Sequence, residues 1–378
     1  MLKDLVARFV ADELMPLEAA TLAREAAGQS IDLPAGDRAR VDARSRDLGL
    51  WGLDAPADVG GSDMPAVAMV AVNEELGRTI TPYTIPPDSP NLRMLATTVT
   101  ARQREAYLAP YVRGETISAI GISEPGAGSD PAGMLTRAVC EGDDWILNGR
   151  KIWITRAAEA DFTIVIAVTD RERGARCGMS AFLVDRGTPG FSVLRPIPMV
   201  GGHVTYEVAL EDCRVDGWKL LGTEGSGFAP MQLRLGTRRI EMAAWSIGMA
   251  QRALEMMIDY APRRSTFGLP LSERGGVQNW IAEAATRIHA ARLMTYDCAW
   301  KLDEGRDVRL EISMIKADAT EMAWTIVDRA MQLHGAMGMT RELPLHMMAS
   351  KLRTMRIYDG PTEIHRWVVA RNLLGTRR

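Results

Sequence analysis

Two short segments carry residue types that could hold a charged, planar ligand. Ser123-Glu-Pro-Gly-Ala-Gly-Ser-Asp130 is a glycine-rich turn with a serine near each end. Gly126 and Gly128 can adopt backbone angles closed to residues with a Cβ. Successive N–H groups can then converge on one concavity, a site for an anion such as a pyrophosphate, with the Ser129 hydroxyl as a further donor. Further along, Asn148-Gly-Arg-Lys-Ile-Trp-Ile-Thr155 reads as the turn and outgoing strand of a β-hairpin, because Asn-Gly is a strong hairpin signal. Alternation along that strand puts Lys151, Trp153 and Thr155 on one face. A cation, a flat aromatic and a hydroxyl there suit a planar cofactor ring. The glycine turn does not complete a dinucleotide fingerprint, since Pro131 stands where G-x-G-x-x-G needs its third glycine. A third segment, Tyr358-Asp-Gly-Pro361, puts a carboxylate just before a last helix. Local sequence alone favours reading Asp-Gly-Pro as a turn and helix entry.

The elements that must position these segments follow from periodicity. Residues 1–116 read as helical, with apolar residues at helical spacing in Leu2, Leu5, Val6, Phe9 and Val10 and again from Ala66 to Leu76. Pro82, Pro86, Pro87 and Pro90 mark a loop. From residue 117 to 222 the period changes to short apolar runs: Phe162–Val168, Ser180–Val184, Phe191–Leu194 and Tyr206–Leu210, separated by turn residues, as in a small β domain. Residues 223–378 return to long helices, expected over Phe228–Tyr260, Val277–Leu302 and Val308–His334, with Pro361 opening a final one. Sequential long amphipathic helices imply an antiparallel bundle. The fold class is mainly α with a central β domain. Trp245, Trp280, Trp300, Trp324 and most of the 22 methionines read as core or interface.

Composition narrows the function. The 378 residues carry a net charge of −3, which argues against nucleic acid as the main partner. Only six of the 45 basic residues are Lys (residues 3, 151, 219, 301, 316 and 351). Cys140, Cys177, Cys213 and Cys298 have no zinc spacing, and the five histidines have no HExxH. No metal is expected. The N-terminal MLKDLVARFV lacks the features of a secretory signal, and no apolar run is long enough to span a bilayer. A cytoplasmic enzyme is the expected placement.

Eight segments in order resemble the acyl-CoA dehydrogenase family, from Leu2 to about Gly375: Leu50–Leu53, Glu74–Arg78, the Ser123–Asp130 turn, Asn148–Thr155, Leu221–Phe228, Arg264–Gly268, Gln332–Gly335 and Ile357–Arg366. The resemblance implies FAD as cofactor and α,β-desaturation of an acyl-CoA thioester. One side chain takes the α-proton, a hydride leaves the β-carbon for the flavin, and an electron-transfer flavoprotein or similar acceptor removes the electrons. The base would be Asp359, where most of the family has Glu and a subset has Asp. Some members place the base on the first C-terminal helix; that position is Arg238 here, which cannot serve. The expectation for Arg238 and Arg239 is that one pairs with Asp359, favouring its ionised form, or meets an acidic or polar group of the substrate. A solvated charge or a coenzyme A phosphate contact is the simpler alternative.

The same resemblance puts Ser123 at the pyrimidine side of the flavin, Thr155 near its N5 and Trp153 against the ring. Ser129 would lie between the cofactor pyrophosphate and the substrate's pantetheine. Arg264, Phe267 and Gln332 would reach the FAD of a neighbouring subunit, which implies a homo-oligomer, dimer or tetramer. Pro361 replaces a usual FAD-contacting Thr, and Ala336 the second Gly of a Gly-Gly pair. Two rivals stay on the same scaffold: a flavin oxidase of the nitroalkane-oxidase type, and a partner-dependent subunit of a hetero-oligomeric dehydrogenase.

Overall fold

A long helix, Phe228–Tyr260, runs through the middle of the molecule, and every residue from Ile240 to Ala250 on it is buried. A helix hydrophobic on all sides must be enclosed. Here the helices Gly275–Asp303 and Arg309–His334 cover one side, and Ala66–Leu76 and Ser89–Thr98 the other. The computed structural model describes residues 1–375. The helix spans expected from periodicity are present at Ala66–Leu76, Phe228–Tyr260, Gly275–Asp303 and Arg309–His334, and Pro361 caps Thr362–Leu373. A further helix, Leu345–Met355, precedes the Asp359 turn. Pro90 is not part of a loop: it lies in the first turn of Ser89–Thr98, where its missing N–H costs nothing.

Two glycines let the N-terminal helices press onto the long one. A Cβ on Gly248 would lie 2.0 Å from the Glu74 carbonyl oxygen, and one on Gly77 would lie 2.4 Å from that of Trp245. This close approach fixes the stretch of the long helix just after Arg238 and Glu241.

Between the helical regions lies a sheet in the order β6-β7-β3-β2-β4-β5-β8, with β1 parallel to β4. The strands are β1 Ser118–Gly121, β2 Arg137–Glu141, β3 Asp144–Thr155, β4 Phe162–Val168, β5 Met179–Asp185, β6 Phe191–Pro198, β7 Val204–Asp216 and β8 Leu220–Leu221. β4 reads as a continuous apolar run because both of its faces are covered: Ile164 and Ile166 pack in one cluster, Val165 and Ala167 in another.

The hairpin expected at Asn148-Gly149 is not there. The β2–β3 turn is Gly142-Asp143, and Asn148 and Gly149 lie inside β3. Asn148 reaches sideways instead. Its amide donates to Asp212 Oδ1 at 3.0 Å and its Oδ1 accepts from the Asp212 N–H at 2.9 Å, beside a shift in the β3–β7 register. Gly149 is required because a Cβ would come within 2.4 Å of the Thr136 hydroxyl oxygen.

Candidate active site

The second irregularity in β3 decides how the cofactor-side residues point. The β3–β7 register shifts again between Lys151 and Ile154, and Trp153 takes a left-handed backbone with φ +62°. A bulge of this kind interrupts alternation. Lys151 therefore does not share a face with Trp153 and Thr155. It is fully buried, whereas Trp153 is 51% exposed and Thr155 is exposed. Lys151 Nζ lies 2.8 Å from Glu124 Oε1 and donates to the Ile122 carbonyl at 3.1 Å. Glu124 also accepts the N–H groups of Leu135 and Thr136, at 2.7 and 2.9 Å. Burial pushes Lys151 down to about 8 against the pull of Glu124. Burial also opposes the charge of Glu124, yet Lys151 and the N–H donors hold its carboxyl below the usual range.

This pair lies under the glycine-rich turn. Ser123 accepts the Ile152 N–H through its carbonyl at 2.9 Å, and Glu124 and Ala127 exchange backbone bonds across the turn. Gly126 and Gly128 do not adopt left-handed angles, contrary to expectation. A Cβ on either would project into open space. The turn is shaped by the buried Glu124 carboxylate, and its glycines keep the outer surface low.

The second group of residues surrounds Asp359. Asp359 and Gly360 are consecutive left-handed residues, at φ +53° and +98°. A Cβ on Gly360 would come within 2.9 Å of His365 Nε2. Asp tolerates the left-handed region better than most residues, which gives a backbone reason for Asp at this position. The turn aims its carbonyls inward. Arg239 Nε donates to the Asp359 carbonyl at 2.8 Å, His365 Nε2 lies 3.2 Å from the same oxygen, and Lys316 Nζ donates to the Gly360 carbonyl. Burial, reinforced by Arg239 and Lys316, pushes His365 down to about 3, so the ring is neutral and donates from Nε2. Burial also pushes Lys316 down to about 8, partly offset by Asp359.

The carboxylate of Asp359 meets a residue that the sequence reading did not single out. Arg234 Nη1 lies 3.1 Å from Asp359 Oδ1, and its Nε donates to Asn91 Oδ1 at 3.3 Å. Asn91 in turn donates to the Ser118 hydroxyl at 2.9 Å, tying Asp359 to β1. Of the two arginines expected near Asp359, Arg239 reaches only its backbone. Arg238 does not touch it: it bridges Asp88 and Glu241, the latter at 2.8 Å, and its guanidinium carbon lies 5.2 Å from the Trp245 ring centre. Burial opposes its charge, but Asp88 and Glu241 hold it above the ordinary range. Burial pushes Glu241 upward despite Arg238. Arg234, Arg238 and Glu241 lie at i, i+4 and i+7 on one helix face. That polar stripe on an apolar helix was the signal available for Arg234 and Glu241. A cavity of only about 10 Å³ lies beyond Arg238, between Thr84, Ile85, Asp88, Glu241 and Trp245, with room for about one water.

Comparison with known proteins places this arrangement. The models for the N-terminal, middle and C-terminal domains of acyl-CoA dehydrogenase match residues 1–115, 119–213 and 225–374. The chain belongs to the acyl-CoA dehydrogenase family. The (R)-benzylsuccinyl-CoA dehydrogenase of Thauera aromatica is 42% identical over 385 residues, spanning 99% of this chain and 95% of the relative. The solved butyryl-CoA dehydrogenase of Megasphaera elsdenii matches with a TM-score of 0.89 at 29% identity, over 99% of this chain and 97% of that one. An FAD complex of PigA matches with a TM-score of 0.87 at 28% identity, over 98% and 96%.

This acyl-CoA dehydrogenase family member is thus an oxidoreductase, and FAD is its cofactor. The residues present fit a flavin nucleotide. Trp153 offers a half-exposed indole on a bulge, the surface above Gly126 and Gly128 is open, and Thr362 Oγ1 beside Pro361 is buried without a protein partner among the described residues. Arg264, Phe267 and Gln332 lie elsewhere on the surface. Phe267 is 98% exposed at φ +48°, and Gln332 lines a hollow of about 370 Å³ with Trp324, Met331 and Ala336. Six described non-glycine residues are left-handed, and three of them are Trp153, Phe267 and Asp359. Such backbone is costly and collects at functional positions. Among the described residues, no helix is long and apolar enough to cross a membrane, and no three metal-ligating side chains come together.

Proposed function

We propose that this enzyme oxidises an acyl-CoA thioester to its 2,3-enoyl-CoA, with Asp359 as the base that accepts the α-proton. The observation that carries this reading is the Asp359 turn: one carboxylate on a left-handed backbone, its carbonyl and the next one gripped by Arg239, His365 and Lys316. Catalytic proton transfer needs a base held to within a fraction of an ångström, and this turn supplies that rigidity to a side chain one methylene shorter than Glu. Bound FAD supplies the acceptor for the hydride that leaves the β-carbon. In this reading Ser123 and Thr155 hold the flavin by hydrogen bonds, Trp153 covers its ring, and Ser129 lies between its pyrophosphate and the substrate. Lys151 has no direct contact and supports the turn from beneath through Glu124. Arg264, Phe267 and Gln332 serve a second copy of the chain; a fully exposed phenyl ring on left-handed backbone supports an interface there. Electrons leave to an electron-transfer flavoprotein or a similar acceptor.

Anaerobic titration of the FAD-loaded protein with straight, branched and substituted-succinyl thioesters tests the reading. Bleaching of the oxidised flavin by one class is the expected result. Bleaching by nitroalkanes alone, with rapid reoxidation by oxygen, would replace it with the oxidase reading. A response only after a second, different subunit is added would make the chain a partner-dependent subunit.

A further inference from the structure

The charges around Asp359 do not balance. Arg234 contacts its carboxylate, Arg239 its carbonyl, and Lys316 the carbonyl of Gly360. Among the described residues, Asp359 is the sole carboxylate within ion-pairing distance of any of the three. Two neighbouring acids do not supply the deficit: Glu321 is engaged with Arg356 at 2.9 Å, and Glu363 is exposed. A short distance away, cations and acids are equal in number. Arg238 and Lys351 flank the Trp245 ring, each 5.2 Å from its centre, and Asp88 and Glu241 both bind Arg238. Cations outnumber acids three to one at the Asp359 end of the site.

These cations also hold unused donors. Arg234 commits Nη1 to Asp359 and Nε to Asn91, and Arg239 commits only Nε. The remaining Nη groups have no protein partner among the described residues and are not sealed from solvent. Burial, reinforced by Arg234 and countered by Asp359, lowers the pKa of Arg239, as expected of an under-compensated guanidinium. Uncompensated charge of this kind is costly to bury, and a neutral acyl chain would bury it further.

Resting on the acyl-CoA reading above, we propose that the acyl group carries its own carboxylate on C2 or C3, and that Arg234 and Arg239 bind it. The position follows from distance. Arg234 is 3.1 Å from one carboxylate oxygen of Asp359, so a carboxylate on Arg234 lies close to the carbon whose proton Asp359 takes. The substrate class is a substituted succinyl thioester. Guanidinium groups suit a carboxylate because their planar forks bind it by two parallel hydrogen bonds. The incoming anion shares Arg234 with Asp359, loosening that ion pair and freeing Asp359 to accept the proton. Arg234 and Arg239 are in this way specificity-determining residues.

The test compares the CoA thioesters of methylsuccinic and phenylsuccinic acid with their neutral carboxamide counterparts. Two readouts are taken: anaerobic flavin bleaching, and the spectral shift of the oxidised flavin on binding the matching enoyl-CoA products, which needs no turnover. The expected result is that carboxylates act at concentrations at least about tenfold lower than carboxamides, and that Arg234→Gln reduces the preference to less than about threefold. Arg239→Gln is the second variant if Arg234→Gln does not fold. Equal response to carboxylate and carboxamide in both readouts would overturn the proposal while leaving the dehydrogenase reading intact. Preferential binding of carboxylated products without bleaching by any thioester would uphold the substrate class and overturn the reaction.

Discussion

The two ends of the site are built on opposite principles. Under the glycine turn, Lys151 and Glu124 form a buried one-to-one pair in which the carboxylate also binds two backbone N–H groups. Around Asp359, three cations surround one carboxylate on strained backbone. The first arrangement satisfies itself and holds a shape. The second is incomplete within the chain and gains from an anion arriving. A pair with no spare valence is scaffolding, whereas an unbalanced cluster marks the place where something binds or reacts. The lysines sharpen the contrast. Of six, Lys151 and Lys316 are wholly buried, one at each end, and burial pushes both down to about 8.

If the glycine-turn end is scaffolding, Lys151→Met should cost about 3–5 kcal/mol of stability, since it strands the Glu124 carboxylate. Urea denaturation would measure it. The double change Lys151→Met with Glu124→Leu should not restore the loss, because the Leu135 and Thr136 N–H groups would then be orphaned. A cost under about 1 kcal/mol would erase the distinction between the two ends.

The Asp359 end should be sensitive to acid through His365. Its folded pKa is depressed from 6.5 to about 3. As pH falls through 6.5 the unfolded imidazole takes up a proton and the folded one does not, so stability declines across pH 6.5 to 3. His365→Gln should flatten that limb in a pH series of melting curves; an unchanged slope would remove His365 as its cause.

Trp153 is half exposed, so Trp153→Leu should weaken FAD retention by about 0.5–1.5 kcal/mol with the melting temperature of the apoprotein unchanged. A fall in apoprotein stability instead would make Trp153 part of the scaffold. A small change in stability is expected at Arg239. Arg239→Gln removes one surplus charge, and it should alter stability by less than about 1 kcal/mol while lowering turnover. Stability lost on the scale of Lys151→Met would mean that both ends are built alike.

Much of the fold was legible because it rests on periodicity. The helix Phe228–Tyr260 and strand β4 coincide with the spans that apolar spacing marks. The misreadings fall where local signals compete with tertiary contacts. Asn148-Gly149 has the composition of a turn, but the side chain of Asn148 is used across the sheet by Asp212. Lys151 cannot be placed from alternation because the bulge at Trp153 reverses it, and nothing local announces a bulge. The Asp359 turn was visible as Tyr-Asp-Gly-Pro, yet its partners Arg234, Arg239 and Lys316 come from 44 to 125 residues away along the chain. Arg238 stood out because the family resemblance aligns it with an alternative base position, while Arg234, one helical turn earlier, is the residue that meets the Asp359 carboxylate.

The central claim is that Asp359 takes the α-proton. Stopped-flow reduction of the flavin, in wild-type enzyme and in Asp359→Asn with FAD bound, addresses it directly. The variant should still bind a thioester that bleaches the wild type, yet reduce its flavin about 10²–10⁴-fold more slowly. Bleaching of Asp359→Asn at the wild-type rate would contradict it and move the base to another residue.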